Sequence, residues 1–232
     1  MKSGFALLLG RSNVGKSTLI NAIVGTKIAA VTPKPQTTRN TINGVYEDER
    51  GQIVFVDTPG VFKIAHSKLT SRLMGQIKEA TKGVDVVLYV VDPTREIGEE
   101  EKASLSIMKK IDAPKILVIN KIDLPKDELQ YIEWYEDISG EFDVTIKISA
   151  LKMKHLKSLI DNIFDRLKEN EPLYEKGQIT NVGRSFWIAE IIREKIFLLT
   201  EKEIPYNTHV VVDDIDDKTG AIIIIYARIL TT

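Results

Sequence analysis

Gly10-Arg11-Ser12-Asn13-Val14-Gly15-Lys16-Ser17 is the stretch on which the reading of this chain turns. It fits G-x-x-x-x-G-K-[ST], the spacing of a phosphate-binding loop. Before it, Phe5 to Leu9 is an unbroken apolar run, as expected of a strand buried on both faces. After it, Thr18 to Val24 reads as a helix that Gly25 stops. Strand, glycine-bearing turn and helix together make an anion cradle. Successive backbone N–H groups turn inward, and the positive end of the helix dipole faces the charge. In such a cradle Lys16 reaches the outer phosphates and the Ser17 hydroxyl sits on Mg2+. A glycine-containing turn that matched the pattern by accident would not carry both flanks.

Outward from the cradle, strands and helices alternate. Val31 to Asn40, with two prolines and a run of polar residues, is an exposed loop. Gly44–Glu47 and Gln52–Val56 read as an antiparallel hairpin closed by a short turn. A helix is expected over 69–81, a strand over Val84–Val91, a helix over Glu99–Ile111 and a strand over Lys115–Ile119. Pro125 marks the start of a further helix. Val144–Ile148 is a short strand, and Leu156–Leu167 is a helix with an apolar stripe at 156, 159, 160, 163, 164 and 167. This alternation over residues 1–170 means an α/β unit, a mainly parallel sheet of six strands with helices on both faces. Ligands of such sheets bind beyond the carboxyl ends of the strands.

Residues 171–183, with Pro172, Gly177 and Gly183, read as a linker. In 184–232 an amphipathic helix over Ser185–Leu199 precedes Pro205, which breaks the chain. Two strands follow, Thr208–Val212 and Ala221–Leu230, with an aspartate-rich turn closed by Gly220 between them. One helix and one hairpin are too little for a sound separate core.

Composition narrows the class. The chain has 232 residues, 43% of them hydrophobic and 28% charged, with a net charge of −1, which gives no general attraction to nucleic acid or anionic lipid. It has no cysteine, which excludes disulfides and cysteine-ligated metal and fits a reducing cytoplasm. No apolar run approaches the ~20 residues of a membrane span, and no signal-peptide pattern opens the sequence. His66, His155 and His209 are scattered without ligand spacing; Trp134 and Trp187 read as packing residues in helices. Glu99-Glu100-Glu101 reads as a solvated helix start favoured by the dipole.

Three further motifs fall at strand ends. Asp57-Thr58-Pro59-Gly60 places a carboxylate where it can hold Mg2+ opposite Ser17, and Gly60 offers a backbone N–H to a terminal phosphate. Asn120-Lys121-Ile122-Asp123 selects the base. A guanine edge carries two donors that one carboxylate, Asp123, can accept, whereas adenine would leave that carboxylate unpaired. Asn120 ties the base loop to the phosphate loop, the Lys121 stem lies over the purine, and Ser149-Ala150-Leu151 brings a backbone N–H to the guanine carbonyl.

These motifs, in order and spacing, resemble the translation-factor class of small GTPases. Lys34-Pro35-Gln36-Thr37-Thr38-Arg39 looks like the threonine loop of the Era family of bacterial ribosome-assembly GTPases. Glu190-Ile191-Ile192-Arg193-Glu194-Lys195 and Glu203-Ile204-Pro205-Tyr206 are similar to the start of that family's second domain. The resemblance covers essentially the whole chain. It implies a three-layer P-loop GTPase domain, then a partial α+β KH-like domain. It implies GTP/GDP and Mg2+ as ligands, with Ser17, Thr38 and Asp57 around the metal, and Lys16, Thr38 and Gly60 in hydrolysis. Gly10 to Thr18, Asp57 to Val61, Asn120 to Asp123 and Ser149 to Leu151 would surround the nucleotide. At position 61 stands Val61, which cannot hydrogen-bond an attacking water. Asn13 matches the asparagine through which related GTPases bind K+ where an arginine's charge would fall. Slow intrinsic hydrolysis, stimulated by K+, is therefore implied. The implied partners are the small ribosomal subunit and the 3′ region of its rRNA, with no DNA. The implied location is the cytoplasm, with peripheral association at the inner membrane face.

The KH-like part departs from the family pattern. KH modules hold RNA with a G-x-x-G loop, and none occurs after Gly183. From Pro172 onward there are seven Lys or Arg against nine Asp or Glu, the wrong balance for an RNA binder. The expectation is a KH module incomplete at Thr232, with low RNA affinity. Its Ile222–Ile225 run would either be buried on the GTPase part or self-associate. A phosphate-loop ATPase or kinase, and a GTPase with a non-ribosomal partner, stay open as alternatives. NKID and the lack of an arginine-rich lid count against the first.

Overall fold

The structure is a computed structural model. It describes residues 1–32, 34, 37, 41–60, 81, 83–202, 204–217 and 222–231. The helix expected over 69–81, together with Thr38, Val61, His66, Gly220 and Ala221, lies outside the described residues or extends beyond them.

Six strands form one sheet: β1 (Lys2–Leu9), β2 (Ile42–Asp48), β3 (Gly51–Asp57), β4 (Val86–Val91), β5 (Lys115–Ile119) and β6 (Val144–Lys147). Their spatial order is β2-β3-β1-β4-β5-β6, parallel throughout except for the β2–β3 hairpin at one edge. The apolar runs read from sequence form this sheet because each strand must bury side chains on two faces. On one face Ala6, Leu8, Leu88 and Val90 pack under α1 (Lys16–Val24) and under Leu159, Ile163 and Phe164. On the other, Leu9, Tyr89, Val91 and Ile119 pack with Met108 and Tyr135. Met108 comes from α2 (Glu99–Lys109) and Tyr135 from α3 (Ile132–Asp137); Leu159, Ile163 and Phe164 come from α4 (Leu156–Arg166). Alternate residues on β1 and β4 thus serve opposite layers, the period-2 rule of strands. All the chemistry-bearing motifs are left at the carboxyl ends.

Some expectations are corrected. Pro125 does not open a helix: Glu128 and Leu129 N–H groups bond three residues back, to Pro125 and Lys126, in successive turns. Tyr131 N–H goes to the Pro93 carbonyl instead, so α3 starts only at Ile132. Glu101 is not a solvated helix residue; it is 1% exposed and paired with Arg11. Residues 171–183, expected as a linker, are bonded to the sheet. Leu173 and Tyr174 N–H groups both donate to Gln52 Oε1 at 2.9 Å, and Val45 N–H donates to the Ile179 carbonyl at 2.9 Å, so the segment runs along the sheet edge.

The C-terminal part comprises α5 (Arg184–Leu199), the single turn α6 (Ile204–Asn207), β7 (Thr208–Asp216) and β8 (Ile224–Thr231). Pro205 does not break the chain. It sits at the second position of α6, where a missing N–H costs nothing. Asp213, Asp214 and Asp216 are in β7 rather than in a turn, with a bulge between Val212 and Asp214 and an Arg228–Asp213 pair at 2.7 Å across the ladder. Phe197 of α5 and Val210 of β7 are buried. Every residue of β8 is exposed, and Ile222 to Ile225 are 42–69% exposed, so that run is not folded back on the six-stranded part.

Candidate nucleotide-binding site

Two adjoining cavities lie at the carboxyl ends of β1, β3, β4 and β5. The larger, about 350 Å³, is lined by Ser12, Asn13, Lys16, Ser17, Thr37, Gly60, Arg95 and Lys121, among others. The smaller, about 180 Å³, is lined by Asn120, Asp123, Leu124, Ala150 and Leu151. Gly15, Thr18 and Lys121 belong to both walls, so the two spaces form one groove with a polar end and a more apolar end.

The polar end is built by the loop between β1 and α1. Helix α1 begins at Lys16 with no side-chain cap, which leaves its first-turn N–H groups for a ligand. Gly15 has φ +101°, and a Cβ there would lie 2.3 Å from Asn120 Nδ2. Only glycine fits that close approach. Asn13 also takes a left-handed backbone (φ +62°), which asparagine tolerates. Lys16 is 6% exposed, with its ammonium donating to the carbonyls of Gly10 (3.1 Å) and Arg11 (3.0 Å). Burial lowers its pKa to about 8, against the opposing pull of Asp57 and Glu101. An anion placed in the cradle would relieve that cost. Ser17 Oγ donates to Asp57 Oδ2 at 2.7 Å, which sets two hard oxygen donors side by side at the cavity edge. That donor set fits Mg2+. Gly60 lies so close to the cradle that a Cβ would come within 2.6 Å of Ser12 Cα.

The base end is organised by Asn120, 3% exposed. Its Nδ2 donates to the Val14 carbonyl at 2.9 Å and its Oδ1 accepts the Ala150 N–H at 2.9 Å. One side chain therefore joins the phosphate loop to the Ser149–Leu151 segment, as the motif requires. Lys121, also left-handed (φ +65°), sends its ammonium to the fully buried Asp92 at 2.5 Å, so its stem forms the wall shared by both cavities. Asp123 borders the smaller space with Leu151, which is 70% exposed at its mouth.

Several of the expected residues contribute backbone rather than side chain. The Thr58 hydroxyl donates to the Leu8 carbonyl at 2.9 Å, Val14 and Pro59 are buried, and Ile122 N–H donates to the Ile148 carbonyl at 3.2 Å. Ser149 Oγ accepts the Lys152 N–H at 3.0 Å and so closes its own turn. Arg11 points its guanidinium away from the cavity, to Glu101 at 3.0 Å and to the carbonyl of Glu96 at 2.7 Å. Thr38 and Val61 fall outside the described residues.

Sequence reasoning did not foresee how α5 holds the loop between α1 and β2. Glu194 accepts the Val31 N–H at 2.9 Å and pairs with Lys27 at 2.5 Å. Arg193, 2% exposed, donates to the Thr37 carbonyl at 2.5 Å and pairs with Glu190. Lys34 donates to the carbonyls of Phe197 and Thr200. Trp187 is more than packing: its Nε1 donates to the Lys27 carbonyl at 2.6 Å. The signal was present in the charged residues that punctuate an otherwise apolar helix, but their partners lie far away in sequence.

Comparison with known proteins agrees with this geometry. Residues 5–121 match the family described as 50S ribosome-binding GTPase. The chain is 44% identical to GTPase Era of Carboxydothermus hydrogenoformans over 221 residues, which is 95% of this chain and 74% of the relative. It is 42% identical to GTPase Era of Trichlorobacter lovleyi, over 99% of this chain and 77% of that one. Among solved structures it superposes with TM-score 0.88, at 33% identity, on Era in complex with MgGDPNP and nucleotides 1506–1542 of 16S ribosomal RNA. That match covers all of this chain and 79% of the other.

Proposed function

Because this chain belongs to the Era family of GTPases, we propose that it acts as a nucleotide switch in assembly of the small ribosomal subunit. GTP hydrolysis to GDP and phosphate is its enzymatic activity, with Mg2+ as the cofactor. The observation that carries the site assignment is Asn120, bonded at once to the phosphate loop and to the Ala150 segment, which fixes cradle and base pocket at one spacing.

In this reading the cradle from Gly10 to Thr18 wraps the phosphates and Lys16 exchanges its carbonyl partners for phosphate oxygens. Ser17, Asp57 and Thr38 would hold Mg2+, which would offset the negative charge of the outer phosphates. Asp57 to Val61 closes over the terminal phosphate, with the Gly60 N–H facing it. Asp123 accepts the two guanine donors. The Ser149–Leu151 segment offers a backbone N–H to the guanine carbonyl. Asn13 would hold K+, whose charge would support hydrolysis, so single-turnover hydrolysis in KCl should exceed that in NaCl at equal ionic strength; equal rates would remove this role. Residues 1–170 form the GTPase domain, 171–183 its connection and 184–232 a KH-like part.

The rRNA partner follows from the relative whose structure holds nucleotides 1506–1542 of 16S rRNA. No described helix is long and apolar enough to cross a membrane. A cytoplasmic location with peripheral contact at the inner membrane face completes the reading. Titration with labelled GTP, GDP and ATP tests the site: guanine nucleotides should bind at least about a hundredfold more tightly than ATP. Equal affinity for ATP would overturn the base assignment. Filter binding of a 16S rRNA 3′-end oligonucleotide, with GDP and with a GTP analogue, tests the partner. No binding in either state would remove it.

A further inference from the structure

We propose that Arg95 is a catalytic arginine supplied by the chain itself, placed to offset the charge that builds on the terminal phosphate of GTP during hydrolysis. The proposal rests on the family's GTPase activity; the K+ read at Asn13 would act on the same phosphate charge, which is why hydrolysis is compared in KCl and in NaCl.

Arg95 sits in the loop between β4 and α2, and its side chain lines the phosphate cavity together with Lys16, Ser17 and Gly60. Its Nη1 donates to the Ser12 carbonyl at 2.7 Å. Ser12 is also the residue against which Gly60 packs. The guanidinium and the Gly60 backbone therefore flank the same turn of the cradle, the turn nearest the terminal phosphate in the reading above.

The loop that carries Arg95 is held from below. Arg11, 3% exposed, donates to the carbonyls of Glu96 (2.7 Å), Arg95 (3.1 Å) and Asp92 (3.4 Å), and pairs with the buried Glu101. The clamp is reciprocal. The side chain of cradle residue 11 fixes the backbone of the Arg95 loop, and the side chain of Arg95 fixes the backbone of cradle residue 12. Such mutual support places a charged group without requiring a closing motion. Arg95 is nevertheless free to exchange partners. Its side chain is 39% exposed, and its ion pair with Glu100 spans 3.9 Å, a weak surface contact. A phosphate oxygen offers a stronger, charge-assisted bond.

In the reaction, the oxygen of water bonds to the γ-phosphorus as the bond from that phosphorus to the β–γ bridging oxygen breaks. The electron pair departs with GDP, and the water's proton goes to the released phosphate. Arg95 stays protonated throughout and donates to oxygens whose negative charge grows. Arginines that reach this position from the same chain or from a partner are worth orders of magnitude in rate. Val61 offers no donor to the attacking water, so more of the stabilisation falls to fixed cations.

Arg95→Ala and Arg95→Lys, in the full chain, test the proposal by three measurements. These are single-turnover GTP hydrolysis in KCl and in NaCl, GDP affinity, and formation of the GDP–tetrafluoroaluminate complex, which mimics the transferring phosphate. The expected result is a rate loss of at least about tenfold for both variants. GDP affinity should stay within about threefold of the parent, and the fluoroaluminate complex should be lost. Lysine does not rescue, because one ammonium cannot hold the Ser12 carbonyl and a phosphate oxygen in the guanidinium's planar fork. GDP affinity doubles as the check that the cradle is folded, and the fluoroaluminate readout stays legible even at a slow parent rate. A smaller rate loss, or a loss matched by an equal fall in GDP affinity, overturns the proposal and leaves Arg95 a strut of the cradle.

Discussion

At the base end of the nucleotide groove, a single buried amide, Asn120 at the end of β5, joins the loop that leaves β1 to the loop that leaves β6 in one sheet. At the other end, the loop between α1 and β2 is held by Arg193, Glu194, Lys34 and Trp187, through contacts with a helix that is not part of that sheet. The first set of bonds is neutral, short in reach and enclosed by strand ends. The second is made mostly by charged side chains meeting backbone groups and spans two separately layered parts of the molecule. The base pocket is thus preorganised by the core, and its selectivity should be insensitive to what the C-terminal part does. Val31, Lys34 and Thr37 of the loop between α1 and β2 are bonded to α5 and its end, so nucleotide exchange should depend on the placement of α5.

The largest expected effect tests the preorganised end. Asp123→Asn replaces a carboxylate that accepts two guanine donors by an amide that can accept only one, and should lower GTP affinity by about 10³-fold. Xanthosine triphosphate, whose extra carbonyl accepts from the new amide, should bind the variant more tightly than GTP does. Competition titration with both nucleotides reads this out. Unchanged GTP affinity would mean that Asp123, although it borders the smaller cavity, does not read the base.

A smaller effect, and one confined to the other end, is expected of Arg193→Met. Removing this buried cation takes the bond from the Thr37 carbonyl and leaves Glu190 without its partner. Breaking a buried pair in this way costs on the order of 3–5 kcal/mol. Urea unfolding should show that loss, and stopped-flow release of labelled GDP should be roughly tenfold faster, with the preference for guanine over adenine unaltered. The Glu190→Gln, Arg193→Met double variant should recover much of the stability and none of the slow release. If base preference changed as well, the two ends would not be held independently.

Much of this was legible in the sequence, and the boundary follows from physics. Strands β1, β4 and β5 could be read because each is a continuous apolar run buried on both sides, and the cradle because its glycines, Lys16 and Ser17 sit at fixed offsets between a strand and a helix. Asn120 was legible for the same reason: a short motif at a strand end meets the neighbouring loop wherever this sheet forms. Arg11 could be placed in the cradle but not in its true role, since its partner Glu101 stands ninety residues on and looked like one of three solvated glutamates. Burial made the difference. The Arg11 guanidinium, the Glu101 carboxylate and the Tyr89 hydroxyl, which donates to Glu101 Oε1 at 2.5 Å, form one enclosed group, and burial with that carboxylate drives the Tyr89 pKa far upward. Pro125 misled because a proline that suits a helix start suits the first turn of a loop equally well, and the Pro93 carbonyl claimed the Tyr131 N–H.

A modest pH dependence should mark the phosphate end. The Lys16 pKa is lowered to about 8 by burial, below its unfolded value, so the ligand-free fold carries a cost below pH 8 that lessens as pH rises above it. Nucleotide phosphates favour the charged form. Binding must therefore take up a proton once the free lysine is neutral, and GDP affinity should fall by somewhat under tenfold between pH 8 and 9. Calorimetry at pH 8.5 in buffers of different ionisation heat should detect that proton uptake, and Lys16→Met should abolish it. Uptake that persisted in Lys16→Met would assign the proton to another group.

The smallest effect on the site is expected from the hairpin, which stands in contrast to the central sheet. β1 is paired on both edges and covered on both faces, whereas β8 pairs only with β7 among the described residues and is exposed along its whole length. Ile222 to Ile225, Ile229 and Leu230 are all exposed, and the run of four isoleucines carries no charge. Uncharged β-branched runs at an open strand invite pairing with another copy. The chain should therefore associate with rising concentration, through contacts that leave the nucleotide groove untouched. Ile223→Lys with Ile225→Lys places one charge on β8 and one just before it and should make light scattering report a monomer where the parent reports larger species, with GDP affinity the same in both. A parent that stays monomeric at high concentration, or a variant that associates equally, would show that the exposed hairpin is not the contact.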